Sequence, residues 1–475
     1  MVIIKNKNEL IPDSLEKDKF YLRNIALNCL EKAIDAVKPE YFINRTLKIH
    51  KNELIINEDV YPFEKIRRIY VIGGGKASAR MAGSINEIFR KYGIIDYEGY
   101  INVPEGLEVE NLTISDKIKL NAASHPLPNE NGVNGVKKMM ALVKNAQQND
   151  LIICLISGGG SSLLPLPLEP ISIEDLKELN KILLNSGASI EDINIIRKHI
   201  SSIKGGNLAR YVHESSKAQL LSLIISDVIG DQLESIASGP TVPDSSTCKD
   251  ALEIIKKYNL DNNIPKSIIS ILNTGLIDNK LETPKPGDEC FKSTHNYLIG
   301  SVASAVKAVK SYLESKEFQL ILFSNSISGE ARIYGKKLYD IISEQINHIE
   351  IRSNSKYKLA LIGSGELTVT IRGGGIGGRN QEMLLSFLSK ILNKKISYDF
   401  NIISVNLDGI EGNSKAMGAM IDNLLLKTII EKKLNPEQYL SINDSNTFFK
   451  KLKSEIITGY TGCNVNDLIM ILLIL

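Results

Sequence analysis

The sequence predicts an α/β protein of two domains, each a Rossmann-like parallel sheet flanked by helices. Three observations carry this. Ile69–Ile72, Leu151–Ile156, Leu220–Ile225, Leu359–Ile362 and Ile402–Val405 are short apolar runs, most of them leading straight into a turn of glycine, serine or aspartate. Runs this apolar suit strands buried on both faces, the condition of a parallel sheet. After the first of them, Ala77–Tyr92 carries Met81, Ile85, Ile88 and Phe89 at helical spacing. Finally, 475 residues exceed what one hydrophobic core normally organises.

A boundary is expected between Asp261 and Phe291, where Asn, Asp, Pro and Gly cluster and apolar periodicity fades after Leu276. This divides the chain into 1–285 and 286–475. The second α/β unit then opens at Asn296–Gly300 and continues into a helix over Val302–Leu313. The terminal run Leu468–Leu475 reads as a last buried strand, because it is too short to span a membrane.

Composition excludes several classes. With 57 basic and 55 acidic residues the net charge is +2, which argues against a nucleic-acid binder. No run reaches the ~18 apolar residues of a membrane helix. Met1–Lys19 is charged and lacks an apolar signal core. Cys29, Cys154, Cys248, Cys290 and Cys463 are scattered and odd in number, which suits buried thiols in a reducing compartment. The expected location is the cytoplasm. A homodimer is compatible with this reading.

The turns at the strand ends carry the chemistry. Gly73-Gly74-Gly75-Lys76 precedes a helix. Glycines let a ligand approach the backbone, and a helix start offers free N–H groups and a positive dipole end. A lysine there calls for an anion, a phosphate or carboxylate, unless the turn is simply tight and Lys76 solvated. It is not a P-loop, since Ala77 follows the lysine. Between Arg372 and Glu382, five of the six residues from Gly373 to Gly378 are glycine, and Arg379 stands at the next helix start. The planar fork of Arg379 suits a carboxylate or phosphate. Ser157, Gly158, Gly159, Gly160, Ser161 and Ser162 offer N–H groups and hydroxyls without charge, which suits a nucleotide; a structural turn is the alternative.

Asp227 and Asp231 follow the strand Leu220–Ile225. Either could take a proton from a hydroxyl or hold Mg²⁺, and Asp231 could instead cap the next helix. Glu366 and Asp408 end other strands. His125, in a rigid loop with Pro126 and Pro128, is placed to contact substrate; His199 has no metal-ligand partner at helical spacing. Glycine-rich anion turns, a lysine, an arginine and strand-end aspartates are the equipment of phosphoryl transfer.

These residues resemble the class II glycerate kinases, the family that contains the MOFRL domain. The matching blocks run in order from about residue 70 to the end. They are Val71–Ala77, Ser157–Ser161, Asn194–His199, Ser202–Gly206, Ser226–Asp231, Ala237–Thr241, Gly363–Glu366, Gly378–Glu382 and Thr458–Leu468. The resemblance implies transfer of the γ-phosphoryl of ATP to D-glycerate with Mg²⁺, giving 2-phosphoglycerate. It implies two α/β domains with the active site in the cleft between them. Family roles fall on Lys76 and Arg379, with Asp227 as acidic partner. Gly75 and the 157–161 turn are expected at ATP, Lys76, Arg379 and His125 at glycerate, and Asp227, Asp231 and Asp408 at the metal. Two positions depart from the family pattern: Leu407 precedes Asp408 where threonine is usual, and Glu411 replaces a second aspartate. The competing readings are an NAD(P)H-dependent hydroxypyruvate reductase, for which no intact dinucleotide fingerprint is present, and a non-catalytic sugar-acid or nucleotide sensor.

Overall fold

The computed structural model describes residues 3–12, 17–107, 116–349 and 357–475. Residues 1, 2 and 13–16 of the charged N-terminal stretch lie outside these. The chain forms two compact units, Pro39–Gly300 and, together, Met1–Lys38 with Ser301–Leu475.

The unit Pro39–Gly300 begins with an antiparallel meander of β1 (Leu47–His50), β2 (Glu53–Ile56) and β3 (Asp59–Pro62). Its main sheet contains β4 (Ile69–Gly74), β5 (Tyr97–Pro104), β6 (Ile118–Ala123), β7 (Leu151–Ile156), β8 (Gln219–Ile225) and β9 (Thr294–Gly300), in the order β6-β5-β4-β7-β8-β9. Every pair is parallel. β4 and β7 are buried at every residue, which is why they read as unbroken apolar runs. Val136, Met139 and Val143 of the helix Glu130–Asn145 and Leu208, Ala209 and Val212 of the helix Asn207–Ser215 pack on Tyr70, Ile72 and Ile152 of the sheet. In register, Gly74 stands opposite Ile156, and Ile156 opposite Ile224. The carboxyl ends of the three central strands therefore finish side by side.

The expected division at 285 differs from this unit at its C-terminal end. The helix Lys266–Gly275 lies inside the presumed linker, and its Ile268, Ile271 and Leu272 belong to a core shared with Leu179, Ile196 and Ile255. β9, expected to open the second unit, is the edge strand of the first sheet. Gly300 at its end lies against Phe42, with a Cβ there 2.1 Å from the ring.

The second unit holds β10 (Gln319–Ile327), β11 (Lys358–Gly365), β12 (Asp399–Asn406), β13 (Gly418–Asp422), β14 (Glu455–Ile456) and β15 (Asp467–Ile474), in the order β10-β11-β15-β12-β13-β14. Only β10 and β11 run parallel. The C-terminal run is indeed a buried strand, but it inserts antiparallel between β11 and β12, with Asp467 opposite both Gly365 and Asn406. The expected second parallel sheet is thus a mixed one. The helix Lys17–Ala36 packs on the helix Val302–Glu314, β12 and β15. Arg23 of that helix, 8% exposed, makes a two-pronged pair with Asp422 at 2.6 and 3.1 Å. This places the N-terminal segment with residues 301–475, a second difference from the expected division. All five cysteines are free and buried, and among the described residues no helix is long and apolar enough to cross a membrane.

Candidate functional site

In the unit Pro39–Gly300 the site grows from three adjacent strand ends. Lys76 lies two residues beyond β4, Ser157 one beyond β7 and Asp227 two beyond β8. With strands ~4.8 Å apart, the turns carrying Lys76 and Asp227 are roughly 10 Å from one another, the 157–162 turn standing between.

The Lys76 turn is held by its own protein. The Gly75 N–H donates to Asn102 O at 3.3 Å and the Lys76 N–H to Gly158 O at 2.9 Å. The Ala77 N–H donates to Ser157 Oγ at 3.0 Å. Gly75 has φ 147°, and a Cβ there would lie 2.2 Å from Ser157 Oγ, so only glycine fits. These N–H groups are therefore already satisfied, contrary to the expectation that they await an anion. Ser157, fully buried, caps this turn.

What remains for a ligand is the Lys76 side chain. It is half-buried, and among the described residues its ammonium makes no hydrogen bond or ion pair. Gly159, at φ 78°, brings two groups together: a Cβ on it would lie 3.0 Å from His125 Nε2 and 3.3 Å from Lys76 Cγ. Partial burial, then the Lys76 charge, hold His125 below the usual imidazole range. Gly160 packs on Ala237, Ser161 Oγ is 2.9 Å from Ser238 Oγ, and Ser162 Oγ donates to Gly159 O at 3.1 Å. Asp227 is half-buried on a turn in which Asp231, at φ 56°, donates its N–H to Val228 O. The first helical turn after β8 is the short 3₁₀ segment Ile236–Ser238, so Asp231 caps no helix. His199 is structural: its ring nitrogens lie 2.8 Å from Ile195 O and 2.7 Å from Glu282.

In the second unit Arg379 opens the helix Arg379–Ile391. Its Nε and Nη2 donate to the two oxygens of Asp467 at 2.6 and 2.8 Å, and its Nη1 to Glu366 at 2.6 Å. The anion expected at this helix start is supplied by the chain itself. Glu411 accepts the Asn380 N–H at 2.8 Å and the Gln381 N–H at 3.0 Å. Burial pushes Glu411 up to about 7. Burial also pushes Asp467 up to about 6, against the pull of the Arg379 charge. Glu366 is the exposed member, and with Thr368, Gly374, Arg379, Asn413 and Asn443 it lines a cavity of about 620 Å³. Asp408 holds a loop: its Oδ1 accepts the Val465 N–H at 3.2 Å and its carbonyl the Thr461 N–H at 3.0 Å. Leu407 is fully buried, and a hydroxyl still stands beside it, since Thr461 Oγ1 donates to Leu407 O at 2.6 Å.

Sequence reasoning missed the part played by Asp467 and Glu411. Asp467 sits at the head of the last apolar run, and nothing local marks it as the partner of Arg379.

Parallel strands ending at a glycine turn, a lysine without a partner among the described residues and a carboxylate on a neighbouring turn are the equipment of an enzyme that handles small anions. Residues 25–273 match a family described as a domain of unknown function (DUF4147), and residues 359–467 match the MOFRL family. The chain is 36% identical over 454 residues to a glycerate 2-kinase of Pyrococcus horikoshii, covering 94% of this chain and 97% of the relative. It is 34% identical over 409 residues to an Agrobacterium vitis protein provisionally named a hydroxypyruvate reductase, covering 86% and 87%. A crystal structure of a glycerate kinase from Thermotoga maritima superposes with a TM-score of 0.79 at 35% identity, over 95% of this chain and 99% of that one. The chain belongs to the glycerate 2-kinase family.

Proposed function

We propose that this protein transfers the γ-phosphoryl group of ATP to the C2 hydroxyl of D-glycerate, giving 2-phosphoglycerate and ADP. The observation that carries the reading is the Lys76 ammonium at the carboxyl end of β4, which has no hydrogen-bond or ion-pair partner among the described residues, with Asp227 two residues beyond β8. The C2 oxygen attacks the γ-phosphorus, the bond to the bridging oxygen breaks, and the hydroxyl proton passes to Asp227. Lys76 offsets negative charge on the moving group, as phosphoryl transfer requires. His125, next to Lys76, contacts glycerate. Gly158, Gly159, Gly160 and Ser161 face the nucleotide phosphates, while Gly75 and Ser157 hold the Lys76 turn in shape.

Mg²⁺ is normally held by one or two carboxylates together with substrate phosphates, where it neutralises phosphate charge. Asp227 and Asp231, hard oxygen donors on one turn, fit that requirement. Asp408 fits less well, because its Oδ1 secures Val465. In the other unit Arg379 receives an anion once the exposed Glu366 gives way, Asp467 continuing to hold the guanidinium in place.

The test is a coupled assay for ADP release that depends on glycerate, with phosphorus NMR of the product. Lys76→Ala should lower kcat by about 100-fold or more. Undiminished turnover in that variant removes the central assignment. The reductase name on the Agrobacterium vitis relative makes one control necessary: NADH oxidation with hydroxypyruvate, expected to be absent.

A further inference from the structure

Beneath the 157–162 turn lies a second basic pair. Lys204 is 6% exposed, and its ammonium makes one hydrogen bond, to Leu164 O at 2.9 Å. Arg197 donates through Nε and Nη2 to a single neutral acceptor, Asn180 Oδ1, at 3.0 and 2.7 Å. Among the described residues neither cation has a carboxylate within ion-pair distance. Other buried or half-buried cations do: Arg23 has Asp422, and Arg379 has Asp467 and Glu366. Lys198, one residue from Arg197, has Asp244 at 3.3 Å. A buried charge without a counter-charge is costly, and folds seldom keep one idle.

Both cations line the same cavity, together with Ser161, Asn180 and Ser201. Its volume is about 20 Å³. That is room for one or two water-sized atoms, which suits the oxygens of an anionic group and excludes a whole nucleotide. Arg197 and Ser161 remain partly exposed, so the cavity reaches the surface. Burial first, then the neighbouring Arg197 charge, push Lys204 down to about 7.

We propose that Arg197 and Lys204 form a binding pocket for the anionic end of a small ligand, a carboxylate or phosphoryl group, with Ser161 and Ser201 lining its wall. The shared chemistry is an oxygen carrying negative charge that enters the cavity, the rest of its group remaining at the mouth. In the kinase reading that oxygen belongs either to glycerate or to a nucleotide phosphate, and that choice rests on the proposed function; the pocket itself does not.

The primary test needs no turnover. Thermal unfolding is followed in chloride buffer and with added inorganic phosphate, in a Lys76→Ala background so that Lys76 contributes no anion binding. The parent protein should gain several degrees with phosphate. Lys204→Met should be at least as stable as its parent in chloride, since it removes an unbalanced buried charge, and should lose most of the phosphate gain. Arg197→Gln should lose that gain too, which covers the case in which Lys204→Met does not fold. A phosphate gain left intact in both variants, with Lys204→Met less stable in chloride, overturns the proposal and leaves Lys204 as a structural donor to Leu164. With Lys76 restored, a tenfold or greater rise in KM for glycerate in Arg197→Gln assigns the pocket to the carboxylate, and the same rise for ATP assigns it to a phosphoryl group.

Discussion

Ser157 Oγ receives the Ala77 N–H at 3.0 Å, so the turn after β7 caps the turn that carries Lys76. Replacing a capping hydroxyl typically costs about 1 kcal/mol, and leaving a buried N–H unsatisfied costs about 1–3 kcal/mol. Ser157→Ala should lower stability by that amount in urea unfolding. It should also lower kcat while the fold persists, because Lys76 loses its fixed position. A variant with native kcat would mean that the cap does not position Lys76.

Gly75 and Gly83 make a matched pair. Gly75 has φ 147° and faces Ser157 Oγ, whereas a Cβ at Gly83, within the helix Ser78–Lys91, meets nothing within 4 Å. Gly75→Ala should cost about 1–3 kcal/mol from strain and overpacking. Gly83→Ala should gain up to about 1 kcal/mol, the difference in helix propensity. Thermal unfolding of both reads the contrast directly.

Arg379 is as much a structural residue as a candidate ligand contact. Arg379→Ala leaves Asp467 buried without its partner, a change that typically costs about 3–5 kcal/mol. Arg379→Lys keeps the charge but cannot reproduce the two-pronged contact with Asp467, and should fall between. The measurement is stability and activity on the same samples. A fully active, fully stable Arg379→Ala protein would remove the residue from both roles.

Glu411 gives the second unit a distinct pH response. Its folded value is about 7, above the ~4.3 of a free glutamate. The folded chain therefore holds that proton more tightly, and the associated stability is present below pH ~4.3 and lost as pH rises to about 7. Glu411→Gln carries no charge and keeps one of the two accepting oxygens, so it gives up either the Asn380 or the Gln381 N–H bond, an offset that does not vary with pH. Its stability relative to the wild type should rise between pH 5 and 7 by up to about 1.4 kcal/mol per unit, then level off. Urea midpoints that move in parallel for the two proteins across this range would refute it.

Much of the fold was legible because five strands are buried on both faces and appear as continuous apolar runs. Pairing was not. Asn296–Gly300 looks the same whether it opens a new unit or edges the old one, since its choice of β8 as partner is a long-range property. The terminal strand was recognisable as buried, but its antiparallel place between β11 and β12 depends on partners more than 60 residues away. At the site, Lys76 and Asp227 were readable from strand ends and glycines. Glu411 was not readable as the anion on the 379–391 helix, because capping from another loop leaves no local signature. Arg197 and Lys204 were visible only as family motif, and their lack of counter-charge needed coordinates.

The helix Lys17–Ala36 is synthesised well before the elements it packs on. Its partners, the helix Val302–Glu314, β12 and β15, emerge only after all of residues 39–300 have been made. On the ribosome the middle of the chain can complete its own core while this helix waits with an uncovered apolar face. The unit it belongs to closes only when the last strand, β15, arrives. Folding of that unit is thus a high-contact-order event joining the two ends of the chain, and should be its slow step. A fragment begun at residue 301 would lack the Arg23–Asp422 pair and one wall of its core from the start.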